Sequence, residues 1–254
     1  MRRSALVIGL LALGGCDLLF PEFSGGHVDA SIDDGGALPD GGTAGPHVAG
    51  SICALADLRD FRSCMTGHGG GFRVSVEETR DVTTADAMGN FVLPLSTSLE
   101  LATVAAVDPT GAAEPTIVMV ALRGGAADGV GLPIAGAQAL QQAAALNGFS
   151  VDGTRGIVLA WAVDAQGTPV AGASAQAAGG VGVGPLYEGG AANELELGNT
   201  TGARGVVAWF DVPPRQLVLT LAAPANGALA GDQFTLPIRP GAVTITTLLL
   251  PPRS

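Results

Sequence analysis

Between Gly156 and Ala223 the chain is a succession of short apolar runs of period two, each closed by turn residues. Ile157, Leu159, Trp161 and Val163 alternate with smaller residues, which is the periodicity of a strand. Asp164-Ala165-Gln166-Gly167 supplies turn chemistry, and Pro169 suits a strand start or edge. Val170, Ala173, Ala175 and Ala177 continue the extended reading. After a glycine-rich span, Val206, Ala208, Phe210 and Val212 alternate again, Pro213-Pro214 ends that run, and Leu217, Leu219 and Leu221 begin another.

Three motifs carry a resemblance in this region: Asp164-Ala165-Gln166-Gly167-Thr168-Pro169-Val170-Ala171-Gly172-Ala173, then Thr200-Thr201-Gly202-Ala203-Arg204-Gly205, then Val212-Pro213-Pro214 before an apolar strand. Their order and spacing resemble the carboxypeptidase regulatory-like family, a small β-sandwich of the transthyretin-like type. The chain departs from that pattern at Arg215, where the family usually has glycine, and in the length of the span between the second and third motifs. Members of the family are mostly non-catalytic modules, so the resemblance implies a scaffold and no reaction.

The first half repeats the style. Val48 and Ile52 open a strand-like run, and Phe72, Val74 and Val76 alternate with Arg73, Ser75 and Glu77. A hairpin over Thr83–Asn90 leads into Phe91–Leu95. Leu99, Leu101, Thr103, Ala105 and Val107 form the next strand, and Thr116–Leu122 closes the set. Thr83-Thr84, Gly89, Pro94 and Leu99–Ala106 parallel Thr200-Thr201, Gly205, Pro213 and Leu217–Ala223, as in a degenerate tandem repeat. Between the halves, Gly124–Gly131 reads as a loop. Pro133–Asn147 reads as the one helix, with Pro133 in its first turn, Asn147-Gly148 as its stop and Phe149 folding back on the last turn.

Cys53 and Cys64 are expected to form a disulfide, closing a ring worth roughly 3 kcal/mol in the chain-entropy model. Zinc held by Cys53, Cys64, His68 and His47 is the competing reading, but those spacings match no compact zinc motif.

At the start, Arg2-Arg3 precede the apolar stretch Ala5–Leu13, and Leu13-Gly14-Gly15-Cys16 resembles the bacterial lipobox. The resemblance implies cleavage before Cys16 and a lipid on Cys16; the competing reading is an ordinary secretory leader. Asp17–Pro46 is glycine-rich, and its acids, among them Asp29, Asp33, Asp34 and Asp40, have no basic partner. It reads as a flexible tether with an r.m.s. span of about 30 Å. The expected organisation is all-β. A signal peptide (1–15) precedes a lipidated tether (16–46), a first β-sandwich (47–122), a loop and linker helix (123–148) and a second sandwich (149–254) that folds alone. Ig-like or transthyretin-like architecture is expected for both sandwiches.

The chemistry-bearing residues are few. The formal net charge of −11 leaves no basic stripe for phosphates, so no nucleic-acid partner is expected. All twelve basic side chains are arginine, which removes Schiff-base catalysis and the lysine of a phosphate loop. His68-Gly69-Gly70-Gly71 resembles the oxyanion loop of some esterases, but the chain contains no G-x-S-x-G elbow. Glu77 and Glu78 point to opposite faces of an extended segment, whereas Glu194 and Glu196 share one, read as solvated. No enzyme, no cofactor and no metal is expected. The expected function is an envelope scaffold whose membrane contact is the N-terminal lipid. The alternative is a lipoprotein that binds a glycan or an envelope peptide through an exposed loop, Gly179–Gly190, using Tyr187 and Glu188; the competing and preferred reading of that span is a surface loop whose Tyr187 packs back on the core.

Overall fold

The structure is a computed structural model that describes residues 45–179, 182–224 and 229–252. Cys16, the leader and nearly all of the proposed tether lie outside the described residues. The first half forms β1 (His47–Leu55), a 3-10 turn (Phe61–Ser63), β2 (Cys64–Met65), β3 (Arg73–Val76), β4 (Val82–Thr84), β5 (Asn90–Pro94), β6 (Leu101–Val107), β7 (Thr116–Ala121) and β8 (Ala126–Ile134). Helix α1 (Ala137–Leu146) follows. The second half forms β9 (Gly156–Val163), β10 (Ser174–Ala177), β11 (Val183–Glu188), β12 (Leu195–Leu197), β13 (Val206–Val212), β14 (Gln216–Ala222), β15 (Asp232–Pro237) and β16 (Val243–Leu249). Among the described residues the chain is all-β with one α-helix, as expected.

A nine-stranded sheet, in the order β12-β11-β13-β9-β16-β7-β6-β3-β4, runs through both halves. Its hinge is β16, the last strand, which pairs in parallel with β9 over Val243–Leu249 and in parallel with β7 over Val243–Ile245. Parallel strands need both faces covered. β9 meets this requirement by carrying apolar residues at both parities, and all eight of its residues are buried. Ile157, Leu159, Trp161 and Val163 enter one core, while Val158, Ala160 and Ala162 enter a second.

Each face of the long sheet has its own cover. On one side β1 pairs antiparallel with β2 and β5 and parallel with β8. Val48, Ile52, Phe91 and Leu132 of this small sheet, with Leu140 of α1, pack against strands of both halves. On the other side the three-stranded sheet β10-β14-β15 places Leu217, Leu219 and Leu221 over Val158, Val207 and Trp209. Two sandwich-like packings are therefore present, but they share a central sheet. A break between residues 148 and 149 interrupts no strand, as expected, yet it divides one sheet and one core.

Three local expectations are corrected. Only Gly124-Gly125 of the span 124–131 form a turn: residues 126–131 belong to β8, and Pro133, assigned to the helix, pairs with Cys53 on β1. Gly50 permits this approach, since a Cβ there would lie 1.9 Å from the Val130 carbonyl oxygen. The helix begins only at Ala137, after Gly136; its end is as read, with Gly148 at φ +78° and the Phe149 N–H donating to the Ala144 carbonyl at 3.2 Å. Finally, much of the glycine-rich span is β11, paired with β12 and β13, and not an exposed loop.

Candidate functional site

The densest group of charged side chains lies where the loop between β1 and β2 meets the turn between β11 and β12. The loop is closed at its base by the expected disulfide, with Cys53 and Cys64 at a Cα–Cα distance of 5.2 Å, and by the β1–β2 pair. Within it, Ala56 N–H donates to the Ser63 carbonyl at 3.3 Å and Asp57 N–H donates to Ser63 Oγ at 3.1 Å. This compact form holds Asp57, Leu58, Arg59 and Phe61 toward the second half.

Asp57 is the hub. Arg59 donates from Nε at 3.0 Å and from a terminal nitrogen at 2.8 Å, and Arg204 donates from the second half at 2.7 Å. The Asn193 N–H adds a further bond at 3.0 Å. In return, Asn193 Oδ1 accepts the Leu58 N–H at 2.8 Å, and Arg59 donates to the Gly189 carbonyl at 2.8 Å. Asn193 adopts φ 59°, the left-handed conformation that asparagine tolerates better than most residues. Burial pushes the Asp57 carboxyl pKa up, but the Arg59, Asn193 and Arg204 donors outweigh it and hold the group well below the usual carboxylate range. Arg59 is only 8% exposed. A carboxylate so fully engaged by donors braces two segments; it is not poised to take a proton from a substrate.

The depressed pKa makes this brace sensitive to acid. Its contribution is complete above the unfolded aspartate pKa of about 3.9 and is lost as pH falls through and below that value. Urea unfolding from pH 7 to pH 3 should show stability falling at the acid end, and Asp57→Asn should make that limb shallower. An unchanged acid limb in Asp57→Asn would show that other carboxylates account for it.

The T-T-G-A-R-G motif supplies the other side of the junction. Thr201 is buried, donates its hydroxyl to the Val170 carbonyl at 2.6 Å and accepts the Ala173 N–H at 3.0 Å. Gly205 lies at φ +71°, and a Cβ there would meet the Ala162 carbonyl oxygen at 2.5 Å. The Arg204 N–H donates to both carboxylate oxygens of Glu188, at 2.9 and 3.0 Å.

The residues expected to bind a ligand are placed otherwise. Tyr187 is 3% exposed, packs in the second core and accepts the Ala175 N–H on its hydroxyl oxygen at 3.1 Å. It is a core residue because β11 lies inside the sheet, so no stacking face is offered to a sugar or peptide. Glu188 is spent on Arg204. Glu77 forms an ion pair with Arg239 across the two halves, Glu78 accepts the Thr103 N–H, and Glu194 accepts the Ala191 N–H. Cys53 and Cys64 are joined to each other, and no group of three or more metal-ligating side chains occurs among the described residues. His47 contacts the Gly45 carbonyl at 2.8 Å and the Asp128 carboxylate at 3.0 Å, remote in role from any nucleophile. No helix among the described residues is long and apolar enough to cross a membrane.

Sequence reasoning missed Asp57, Arg59, Asn193 and Arg204 as a group. The available signal was an acid and a base two residues apart inside a short cysteine ring, with an arginine in a glycine-bounded turn far along the chain.

No protein family matches the chain, and no curated protein does. Solved structures similar to it are distant. The minor pilin GBS52 of Streptococcus agalactiae has a TM-score of 0.30 and 11% identity, over 82% of this chain and 96% of that one. The Bacillus anthracis TIE protein has a TM-score of 0.27 and 13% identity over 82% of this chain. This chain spans about a third of its length, 34%. The shaft pilin SpaA of Lactobacillus rhamnosus GG has a TM-score of 0.25 and 10% identity, over 82% of this chain and 98% of that one.

Proposed function

We propose that this protein is a non-catalytic scaffold of a bacterial cell envelope, held to a membrane through a lipid on Cys16. The observation that supports the scaffold reading is the use made of charge. Asp57 and the buried Arg59, together with Arg204 and the Glu77–Arg239 pair, bind one half of the protein to the other. The cleavage site, the anchor and the envelope location rest on the Arg2-Arg3 n-region, the apolar stretch and Leu13-Gly14-Gly15-Cys16. Kinship with carboxypeptidase regulatory-like modules is supported by the structural roles of Thr201 and Gly205 in the second half. The glycan- or peptide-binding alternative loses its aromatic contact to the burial of Tyr187.

Cys16→Ser is expected to abolish incorporation of labelled fatty acid and to release the protein from the membrane fraction, as a soluble or uncleaved product. Fatty-acid labelling that persists in the variant would refute the anchor.

A further inference from the structure

We propose that the Cys53–Cys64 disulfide is a redox latch: when it is closed, the 56–63 loop is seated on the β11–β12 turn, and when it is reduced, loop and turn release together while the nine-stranded sheet stays folded. Three features of the loop combine in this inference. First, the contacts it makes with the second half arise inside the cysteine ring. These are the Leu58 N–H bond to Asn193 Oδ1, the Asn193 N–H bond to the Asp57 carboxylate, the Arg59 bond to Gly189, the Arg204 bond to Asp57, and the Phe61 ring 5.2 Å from that of Trp161. Second, the base has few holds besides the crosslink: the Ala56 and Asp57 N–H bonds to Ser63 and the β1–β2 pair. The β1–β2 pair consists of Ala54 with Met65 and Leu55 with Cys64, and a pair so short constrains little without a crosslink. Third, its target is a sheet margin: β12 is the terminal strand of the long sheet and spans three residues, Leu195–Leu197.

The chemistry is ordinary thiol–disulfide exchange. The thiolate of a dithiol reductant attacks the sulfur of Cys64, which is partly exposed where Cys53 is buried. The S–S bond breaks and the Cys53 sulfur leaves as a thiolate and takes up a proton. The second thiol of the reductant then resolves the mixed disulfide, so two electrons and two protons pass to the protein and the reductant becomes a disulfide. Without the crosslink the loop regains conformational entropy, which the Asp57 hub and the burial of Leu58 and Phe61 must offset.

The test is amide hydrogen exchange on the intact, folded protein before and after treatment with dithiothreitol, with thiol alkylation counting the two released cysteines. The Leu58 and Asn193 amides, far apart in sequence, should exchange faster by about tenfold or more, while amides of the β9–β13 pairing keep their protection. The Cys53→Ser/Cys64→Ser double variant should show the same pattern without reductant. Faster exchange confined to residues 53–65 with Asn193 unchanged would overturn the latch. So would loss of protection throughout the sheet, or a disulfide reducible only after global unfolding.

Discussion

Residues 149–254 expressed alone will melt over a broad range and show tryptophan emission characteristic of water-exposed indole. The reason is the sharing of one core. Ile157, Leu159, Trp161, Phe210, Val243 and Ile245 all face the core completed by residues of the first half, including Ile52, Phe61, Phe91 and Leu140. Each large apolar side chain returned to water costs about 1.5–3 kcal/mol. Six such groups therefore forfeit as much as the roughly 5–15 kcal/mol by which a domain is stable at all. The excised half also loses β7 beside β16 and the Arg239 partner Glu77, and it exposes an unpaired edge on the central strand. A sharp transition with blue-shifted emission would show that the β10-β14-β15 sheet and its core suffice for the second half.

Trp161→Ala should destabilise the whole protein by about 3–5 kcal/mol, read as a lower urea midpoint with little change in slope. Trp161 is 1% exposed, stands on β9 between β13 and β16, and meets Phe61 from the first half. Its removal leaves a cavity at the point where the halves are joined. Trp161→Phe should cost much less, for a reason particular to this site. Among the described residues, the indole Nε1 is the buried side-chain donor with no hydrogen-bond partner. Such an orphan carries a desolvation penalty of about 1–3 kcal/mol, which phenylalanine does not incur. A loss below about 1 kcal/mol in Trp161→Ala would mean that the pocket collapses around the gap.

These two variants divide what is local from what is not. The strands were legible because their signals are local: Phe72–Val76, Leu99–Val107 and Val206–Val212 each show period two, and they contain β3, β6 and β13. The turn at Asp164–Gly167, the helix stop at Asn147-Gly148 and the pairing of Cys53 with Cys64 were legible for the same reason. The β8 strand was not, because Ala126–Ile134 is rich in glycine and carries a proline; its parallel partner β1 organises it. The span 179–190 was misread as an exposed loop because its glycines suggested exposure, while in the structure the glycines at 182 and 184 serve close strand approach, a Cβ at Gly184 lying 2.8 Å from the Ala208 carbonyl oxygen.

An all-β chain with one helix, a cysteine ring and a shortage of catalytic groups could be read along the chain, because side-chain periodicity, turn chemistry and composition need no partner. That the two halves share one nine-stranded sheet, and that Asp57, Arg59, Asn193 and Arg204 meet, emerges only when distant segments pack together. Val243–Leu249 carries apolar and β-branched residues, which state that it is a buried strand but not between which neighbours. Backbone hydrogen bonds are the same for any partner, so the choice of β7 and β9 falls to the fit of both faces at once: Val243 and Ile245 into one core, Leu248 and Leu250 into the other.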